Sequence, residues 1–387
     1  MDFLNGNIKP MYFKYLSAAF GSAMISSVYS IVDTAMVGQY HGPQGTAALA
    51  VVAPVWNIIY SLGLLVGIGG SVIFSTRRGS GKSDGSEHQY FTAAVIGAVI
   101  LSMLAWVGII CFERPILTFF GAGLATAIGA GISFLVMLTH FFSRKNTLRL
   151  IKPENLLRRL QEIAVTGFST FFIDVAMGIL TVLFNRQIMQ YLGASALAIY
   201  GPIIQVSTFV QCCAYSVGQA SQPIISTNFG AGKGERIKET LRLALWTTGF
   251  FGVFWTALSM AFPNAYIRIF MTPTPEILDM APAIVRTYAL SFLLLPFNIF
   301  STYYFQAILK PKAAFVVSVA RGLVISGILI LTLPVLVRAG AIWFAMPVTE
   351  LLVMVYAALT MRACTKALPQ GPACMDAASC NAAENLI

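Results

Sequence analysis

Long apolar stretches alternate along the chain with short polar segments that contain glycine, lysine and arginine. A helix needs about 20 mostly apolar residues to cross the hydrocarbon core of a bilayer. The stretches that reach this length predict ten transmembrane helices, near residues 12–38, 45–75, 89–112, 124–143, 162–190, 195–228, 238–262, 280–308, 314–336 and 339–362. Several exceed the length of a perpendicular crossing, so we expect tilted or bent helices. Candidate bends lie at prolines inside the spans, namely Pro54, Pro202, Pro223, Pro296 and Pro347.

The composition agrees with a chain embedded in lipid. Of the 387 residues, 57% are hydrophobic and only 10% are charged, and the mean hydropathy is +0.76. A soluble domain has about 25% charged residues, and no protein core could hide this much apolar surface from water. The spans contain Gly and Pro without an alternating pattern, which favours helices over a transmembrane barrel. The predicted fold class is therefore an all-α membrane protein.

Basic residues in the loops are strongly asymmetric between the two sides of the predicted membrane. The side that is poor in them has little beyond Arg114, Arg268 and Arg338. The other side carries Arg77, Arg78, Lys82, Arg144, Lys145, Arg149, Lys152, Arg158, Arg159, Lys233, Arg236, Lys238, Lys310, Lys312, Arg362 and Lys366. Because cytoplasmic loops carry the excess of Lys and Arg, the basic side and both termini are predicted to be cytoplasmic. The net charge of +10 then sets membrane orientation, which argues against nucleic-acid binding.

Two loop segments reveal an internal repeat. STRRGSGKSDG begins at Ser75 and STNFGAGKGER begins at Ser226, and their Ser, Thr, Gly, Gly and Lys positions coincide at a constant offset of 151 residues. Gly67 and Gly218 keep the same offset. Both copies have the same orientation, so the halves would be related by an axis along the membrane normal, which is a transporter architecture.

The first of these segments also resembles the end of a phosphate-binding loop. That motif needs a Gly five residues before its Gly-Lys pair. With Gly81 and Lys82 as the pair, the position is occupied by Thr76, and the preceding stretch is a membrane span instead of a short buried strand. We therefore interpret the segment as the cytoplasmic turn between the second and third helices of each half, and we expect no nucleotide.

The repeat predicts how the chain is divided. We expect an N-terminal lobe (1–143) with four spans, a basic cytoplasmic linker (144–161), a C-terminal lobe (162–363) with six spans, and a disordered cytoplasmic tail (364–387). The first lobe is two spans short, at about residues 121–124. Because an even number of spans is missing, the orientation of everything downstream is preserved.

Cysteine and histidine positions argue against a metal centre or a disulfide framework. The six cysteines show no CxxC spacing. The histidines, His41, His88 and His140, are isolated near span ends. We therefore expect no metal, no cofactor and no enzymatic activity.

Several separated segments resemble the multidrug and toxic compound extrusion (MATE) transporters, most of all the bacterial drug-efflux and DNA-damage-inducible-type branch. They are SIVDTAMVGQY (30–40), SQPIISTNFGAGKGERIKE (221–239), YYFQAILKPKAAF (303–315) and GAIWFAMPVTELL (340–352). The resemblance implies two pseudo-symmetric helical lobes in a bacterial cytoplasmic membrane. Family members usually have twelve helices, and this chain would lack the fourth and most of the fifth. We expect a monomer.

Three acidic residues lie well inside the predicted spans: Asp33, Asp174 and Glu350. A charged side chain at the centre of a membrane helix costs roughly 2.5–3.5 kcal/mol on insertion scales. The resemblance identifies Asp33, in the VDT motif, with the family's first-helix acid that couples cation movement to export. The alternative is a hydrated carboxylate near the outer face.

The remaining intramembrane charges have two interpretations each. Asp174 is either a second coupling acid or a helix-packing group bonded to a neighbouring Ser or Thr. Glu350 is either part of a substrate cavity or bonded to carbonyls that Pro347 frees. Arg321 is expected to snorkel or to pair helices, since a fixed positive charge would repel cationic drugs.

Uncharged polar residues inside the spans are candidates for lining a substrate cavity. Each of them is alternatively an interhelical hydrogen-bonding group. These residues are Gln306, Asn298, Gln205, Gln211 and Asn185.

The sequence thus predicts a secondary antiporter that exports amphipathic, often cationic, compounds in exchange for H⁺ or Na⁺. One alternative is a flippase for lipid-linked precursors, although its cavity would be expected to be more cationic. The other is a truncated, transport-incompetent paralogue.

Overall fold

A computed structural model describes residues 2–81, 85–111, 147–270 and 273–368, except for the side chains of 26–57, 106, 108–111 and 266. Every regular element within these residues is helical. In chain order they are α1 (Ile8–Gly79), α2 (Ser86–Cys111), α3 (Leu156–Gly230), α4 (Gly234–Ala261), α5 (Pro263–Phe270), α6 (Pro275–Ala307), α7 (Pro311–Val319), a π-helical turn (Ala320–Val324), α8 (Ile325–Leu336), a 3-10 turn (Ala339–Phe344) and α9 (Ala345–Lys366). The predicted all-α class is confirmed.

Seven helical segments of the described chain are long and apolar enough to cross a membrane. They are Ile58–Gly79, Ser86–Ala105, Leu156–Gly230, Gly234–Ala261, Pro275–Ala307, Pro311–Leu336 and Ala339–Lys366. The predicted span 124–143, and the point near 121–124 where two spans were expected to be missing, lie outside the described residues.

Helix α1 folds back on itself within its 72 residues. Near its start, the Phe3 carbonyl accepts a hydrogen bond of 3.1 Å from the Asn228 side chain. At its end, Gly79 packs on the backbone of Thr227. Both ends of α1 therefore lie beside the same turn, whereas a straight helix of this length would extend roughly 108 Å. The helix thus contains two arms of opposite direction, which correspond to the first two predicted spans.

Helix α3 bends at a glycine. Gly193 has φ 81° and ψ −175° and is the one residue inside α3 with non-helical dihedrals. This conformation is accessible to glycine because it has no Cβ. The bend separates a first arm (156–192) from a second arm (194–230), which agree with the predicted spans 162–190 and 195–228. The sequence had placed bends at Pro202 and Pro223 instead; both lie within regular helix.

The two repeated loop segments have the same backbone geometry. Gly81 follows α1 with φ 68°, and Gly232 follows α3 with φ 67°. Immediately before them, the amides of Ser80 and Ala231 donate to the carbonyls of residues 76 and 227, at 3.0 and 3.1 Å. The 151-residue offset seen in the sequence thus extends to the backbone of both turns.

The N-terminal segment is tied to the turn that follows α3. Lys233 donates through Nζ to the Leu4 carbonyl at 2.9 Å, and Arg236 donates to the carbonyls of Phe3 and Gly6 at 3.0 and 2.6 Å. The basic loops of the described chain gather at this end of the molecule, which we call the basic end. Basic residues toward the opposite end are fewer and comprise Arg186, Arg268, Arg286 and Arg338.

Aromatic packing fills the interior of the C-terminal part. Phe184 stacks on Tyr200 with ring centroids 4.8 Å apart, and Tyr288 and Trp343 pack edge-on or tilted around them. The outer surface is apolar as well: on α4, Trp246 is 76% exposed. Such exposure would be costly in water, and it fits a surface that faces lipid.

Candidate functional site

Two opposite charges form a fully buried ion pair in the C-terminal half. Arg321 and Glu350 both have 0% exposed side chains, and Nε of Arg321 donates to Oε1 of Glu350 at 2.8 Å. Asn298 provides a hydrogen bond to the second carboxylate oxygen. Its Nδ2 donates to Oε2 of Glu350 at 2.6 Å and also to the Glu350 carbonyl at 2.8 Å. Three elements, α6, the π-helical turn and α9, are thereby joined through one carboxylate.

This arrangement shows the hydrogen-bond partners of Glu350 and Arg321, which bear on the interpretations drawn from the sequence. Glu350 accepts hydrogen bonds from Arg321 and Asn298, so the expectation that it bonds carbonyls freed by Pro347 is wrong. An ionised carboxylate only accepts hydrogen bonds and cannot satisfy a carbonyl. Of the two roles considered for Arg321, helix pairing matches the structure, whereas snorkelling does not, because the side chain is fully buried.

The backbone around Arg321 is locally widened. Arg321 lies in the π-helical turn Ala320–Val324, where the amide of Ile325 donates to the Ala320 carbonyl. Single π-turns inside α-helices frequently mark functional sites. The next residue, Gly322, lies close to the first arm of α3: a Cβ added there would be 3.0 Å from Cβ of Ala176 and 3.8 Å from Cγ1 of Ile173. The turn that carries Arg321 therefore packs on the turn that carries Asp174.

Asp174 is the fourth member of this group. The Tyr215 hydroxyl and the Arg321 guanidinium are polar groups that act on its carboxylate. Its second oxygen, Oδ2, is buried and has no hydrogen-bond partner. Both terminal nitrogens of Arg321, Nη1 and Nη2, are also buried without a partner. We call Asp174, Asn298, Arg321 and Glu350 the polar cluster.

The polar cluster contains one positive and two potentially negative groups. With Asp174 protonated the charges sum to zero, and with Asp174 ionised one negative charge is in excess. A buried uncompensated charge is costly. Protonation of Asp174 would remove the excess negative charge, and the hydrogen bonding of the cluster would change with it.

The other residues expected to line a cavity differ in their contacts and in their burial. Gln306 is fully buried and joins α6 to α3, because its Nε2 donates to the Thr170 hydroxyl at 2.9 Å and to the Thr166 carbonyl at 3.1 Å. Gln211 donates to Ser207 one turn before it on the same helix, at 3.3 Å. Gln205 is exposed and Asn185 is half-buried. The side chain of Asp33 lies outside the described set, although its backbone belongs to α1.

A pair of glycines brings α1 and α3 into backbone contact at the basic end. A Cβ added at Gly79 would overlap the Thr227 carbonyl oxygen, and one added at Gly230 would overlap the Thr76 carbonyl oxygen. Gly79 and Gly230 are equivalent in the repeat, as are Thr76 and Thr227. We call residues 76–79 and 227–230 the glycine seam. The contact is symmetric, so an approximate two-fold axis passes through the seam.

A second close approach lies further along the same two helices. Gly69 of α1 faces the Ile163 carbonyl, and Gly167 of α3 faces the Leu65 carbonyl, each without room for a Cβ. The repeat does not predict the contacts of Gly69 and Gly167, because these glycines have no partner in the matched loops. The available signal was the location of each glycine within a helix: Gly69 lies about two turns before the basic loop, and Gly167 lies near the start of α3.

Comparison with known proteins gives one family and several relatives. The MatE family profile matches residues 18–125 and 168–331. The multidrug export protein MepA of Staphylococcus haemolyticus (strain JCSC1435) is 29% identical over 266 residues, which cover 65% of this chain and 57% of the relative. The probable multidrug resistance protein YoeA of Bacillus subtilis (strain 168) is 24% identical over 199 residues, which cover 50% and 42%. The matches thus span 57% of the first relative's length and 42% of the second's.

Solved structures share the fold. One, described as the outward-facing conformation of a multidrug resistance MATE family transporter of the MOP superfamily, superposes with a TM-score of 0.76 at 15% identity, covering 95% of this chain and 98% of that chain. Another, a MOP superfamily transporter from Pyrococcus furiosus Vc1 (DSM3638), gives 0.77 at 15% identity with the same coverage.

Proposed function

Because the chain belongs to the MatE family, we propose that it is a secondary antiporter that exports amphipathic, often cationic, organic compounds in exchange for H⁺ or Na⁺. The relatives named as multidrug export proteins support the substrate class. The apolar, lipid-facing surface and the seven candidate spans support a multi-pass position in the bacterial cytoplasmic membrane.

The glycine seam is the observation that carries this proposal. Two lobes that alternate access must touch on one side of the membrane and separate on the other. The seam supplies a contact of this kind, since equivalent residues of α1 and α3 meet backbone to backbone around an approximate two-fold axis. We propose that the N-terminal lobe (1–143) and the C-terminal lobe (162–363) meet at this seam and rock about it.

We place the basic end in the cytoplasm, with both termini on that side. The positive-inside rule supports this orientation, and the bonds from Lys233 and Arg236 to the N-terminal segment are consistent with it. With the seam closed, the route between the lobes would be shut toward the cytoplasm. We propose that drug release to the outside takes place in this state.

The coupling residues we propose are Asp33 in the first lobe and Asp174 in the second. An intramembrane carboxylate is costly and marks an ion pathway by default. For Asp174, support comes from its buried, unpartnered oxygen. Uptake of the cation at these acids would favour drug release, and the lobes would then return the cavity to the cytoplasm. We expect the monomer to be sufficient.

Drug accumulation in cells tests the proposal. Cells that lack their own exporters would express the chain, the Asp33→Asn variant or an empty vector, and would be loaded with a fluorescent lipophilic cation. We expect the chain to lower accumulation and the variant to resemble the vector. Identical accumulation in all three, at equal membrane levels of protein, would favour a transport-incompetent paralogue.

A further inference from the structure

In the polar cluster, both Arg321 and Asp174 have buried polar atoms without a hydrogen-bond partner. These two residues could form an ion pair with each other. Arg321 uses Nε on Glu350, and its two terminal nitrogens have no partner although the side chain is fully buried. Asp174 has a free buried Oδ2. Leaving a buried polar group unsatisfied costs about 1–3 kcal/mol, and more for a charged group. This cost is removed when a hydrogen-bonding partner reaches the group.

We propose that Arg321 is a tethered cation that pairs with Asp174 whenever Asp174 is ionised, so that protons and not Na⁺ control this site. The inference rests on the proposed function, in which Asp174 is a coupling acid. Arg321 is a positioning residue in this scheme, because it acts through Asp174 and not on the exported compound.

The geometry allows one guanidinium to serve two carboxylates. Nε stays on Oε1 of Glu350 at 2.8 Å, while the terminal nitrogens remain available on the other edge of the same planar group. Asn298 holds Oε2 of Glu350 at 2.6 Å, so Glu350 does not depend on Arg321 alone. The contact of Gly322 with Ile173 and Ala176 holds the turn of Arg321 against the turn of Asp174.

Among the described residues, the other titratable groups beside Asp174 are neutral tyrosines. They come from each neighbouring helix: Tyr60 from α1, Tyr215 from the second arm of α3 and Tyr303 from α6. Glu350 of α9 faces Arg321 on its far side. Within the part of the chain that the structure describes, Arg321 is therefore the positive charge that can compensate an ionised Asp174.

A tethered guanidinium discriminates between the two coupling cations. Na⁺ requires several oxygen ligands, whereas Arg offers donors only and no lone pair. Na⁺ would also have to displace a positive charge that cannot leave the site. A proton needs only one carboxylate lone pair, and its arrival at Oδ2 releases Arg321 from Asp174 without placing two cations together.

Infrared difference titration of the purified full-length protein tests this without requiring transport. The carboxyl band that disappears in Asp174→Asn reports protonation of Asp174, and its pH midpoint is measured in Na⁺ and in choline. Two variants distinguish the effects of the two charges on Asp174. Glu350→Gln removes the competing carboxylate and leaves Arg321 free for Asp174. The double variant Arg321→Gln with Glu350→Gln removes the tethered cation without leaving Glu350 as an unpaired buried charge.

We expect the wild-type midpoint to be the same in Na⁺ and choline. It should move to lower pH in Glu350→Gln and to higher pH in the double variant, each by about one pH unit or more, since an opposite charge nearby favours ionisation. The inference would be overturned if the pH midpoint of Asp174 were the same in the wild type and in both variants. It would also be overturned if Na⁺ lowered the midpoint of the wild type. Absence of drug transport with these midpoint shifts intact would instead contradict the proposed function alone.

Discussion

Gly79 and Gly230 occupy equivalent positions on two facing helices, and each packs against the backbone of the helix that carries the other. The offset of 151 residues found in the loop sequences thus corresponds to a physical contact. Such an approach excludes any side chain, because the carbonyl oxygens of Thr76 and Thr227 occupy the space that a Cβ would need. The seam is therefore the part of the molecule where substitution should act on transport most directly.

Placing a large side chain at either glycine of the seam should abolish export. Gly79→Leu or Gly230→Leu would force α1 and α3 apart, so we expect dye accumulation equal to that of cells with the empty vector. Gly249→Leu is a matched control, because Gly249 is exposed on α4 with open space around the position of its Cβ. Normal export by Gly79→Leu and Gly230→Leu would show that the seam does not have to close.

The second close approach should matter for stability. Gly167→Val would overlap the Leu65 carbonyl, so we expect the free energy of unfolding to fall by about 1–3 kcal/mol, as for other overpacked sites. Thermal unfolding in detergent would measure the change. Gly178→Val provides the control on the same helix, where nothing lies near the added Cβ. Equal unfolding temperatures for the two variants would contradict the claim that the close contact between Gly167 and the Leu65 carbonyl stabilises the fold.

The sequence predicted much of this fold because its largest signals are local. Apolar runs of bilayer length do not depend on tertiary contacts, so α2, α4 and α6 lie close to their predicted spans. The sequence does not predict the bend at Gly193. It points to prolines as candidate bends, and prolines are tolerated in helices whose neighbours satisfy the freed groups. A glycine with positive φ leaves no comparable pattern in an apolar stretch.

Site prediction was less complete, for a physical reason. Asp174, Arg321 and Glu350 were each identified, since charges in apolar spans stand out. Their association depends on how three separate elements pack, and no spacing along the chain encodes it. One signal was available: Arg321 and Glu350 are the charged residues well inside the last two predicted spans, and buried charges need partners.

Breaking the buried ion pair from one side should destabilise the protein. Arg321→Gln leaves Glu350 charged and buried, so we expect a loss of about 3–5 kcal/mol in unfolding free energy. The double variant with Glu350→Gln should recover most of it. The exposed pair Lys238–Glu235 serves as a comparison, where Lys238→Gln should cost less than about 1 kcal/mol. A double variant as unstable as Arg321→Gln would contradict the pairing.

Gln306 should be a structural residue rather than a substrate ligand. Its amide bonds to Thr170 and Thr166 join α6 and α3, and Gln306→Leu would leave the Thr170 hydroxyl without this partner. We expect unfolding free energy to fall by about 1–3 kcal/mol with the range of exported compounds unchanged. Gln205→Leu, at an exposed position, should change neither. An altered substrate range in Gln306→Leu would restore its assignment to the cavity.

Coupled export by the purified chain is the central claim, and uptake into proteoliposomes tests it most directly. The protein, its Asp33→Asn and Asp174→Asn variants, and empty liposomes would be compared for uptake of a lipophilic cationic dye under an imposed pH or Na⁺ gradient. We predict gradient-driven uptake by the wild-type chain that collapses with the gradient and is lost in both variants. Uptake no greater than that of empty liposomes under either gradient would contradict the account.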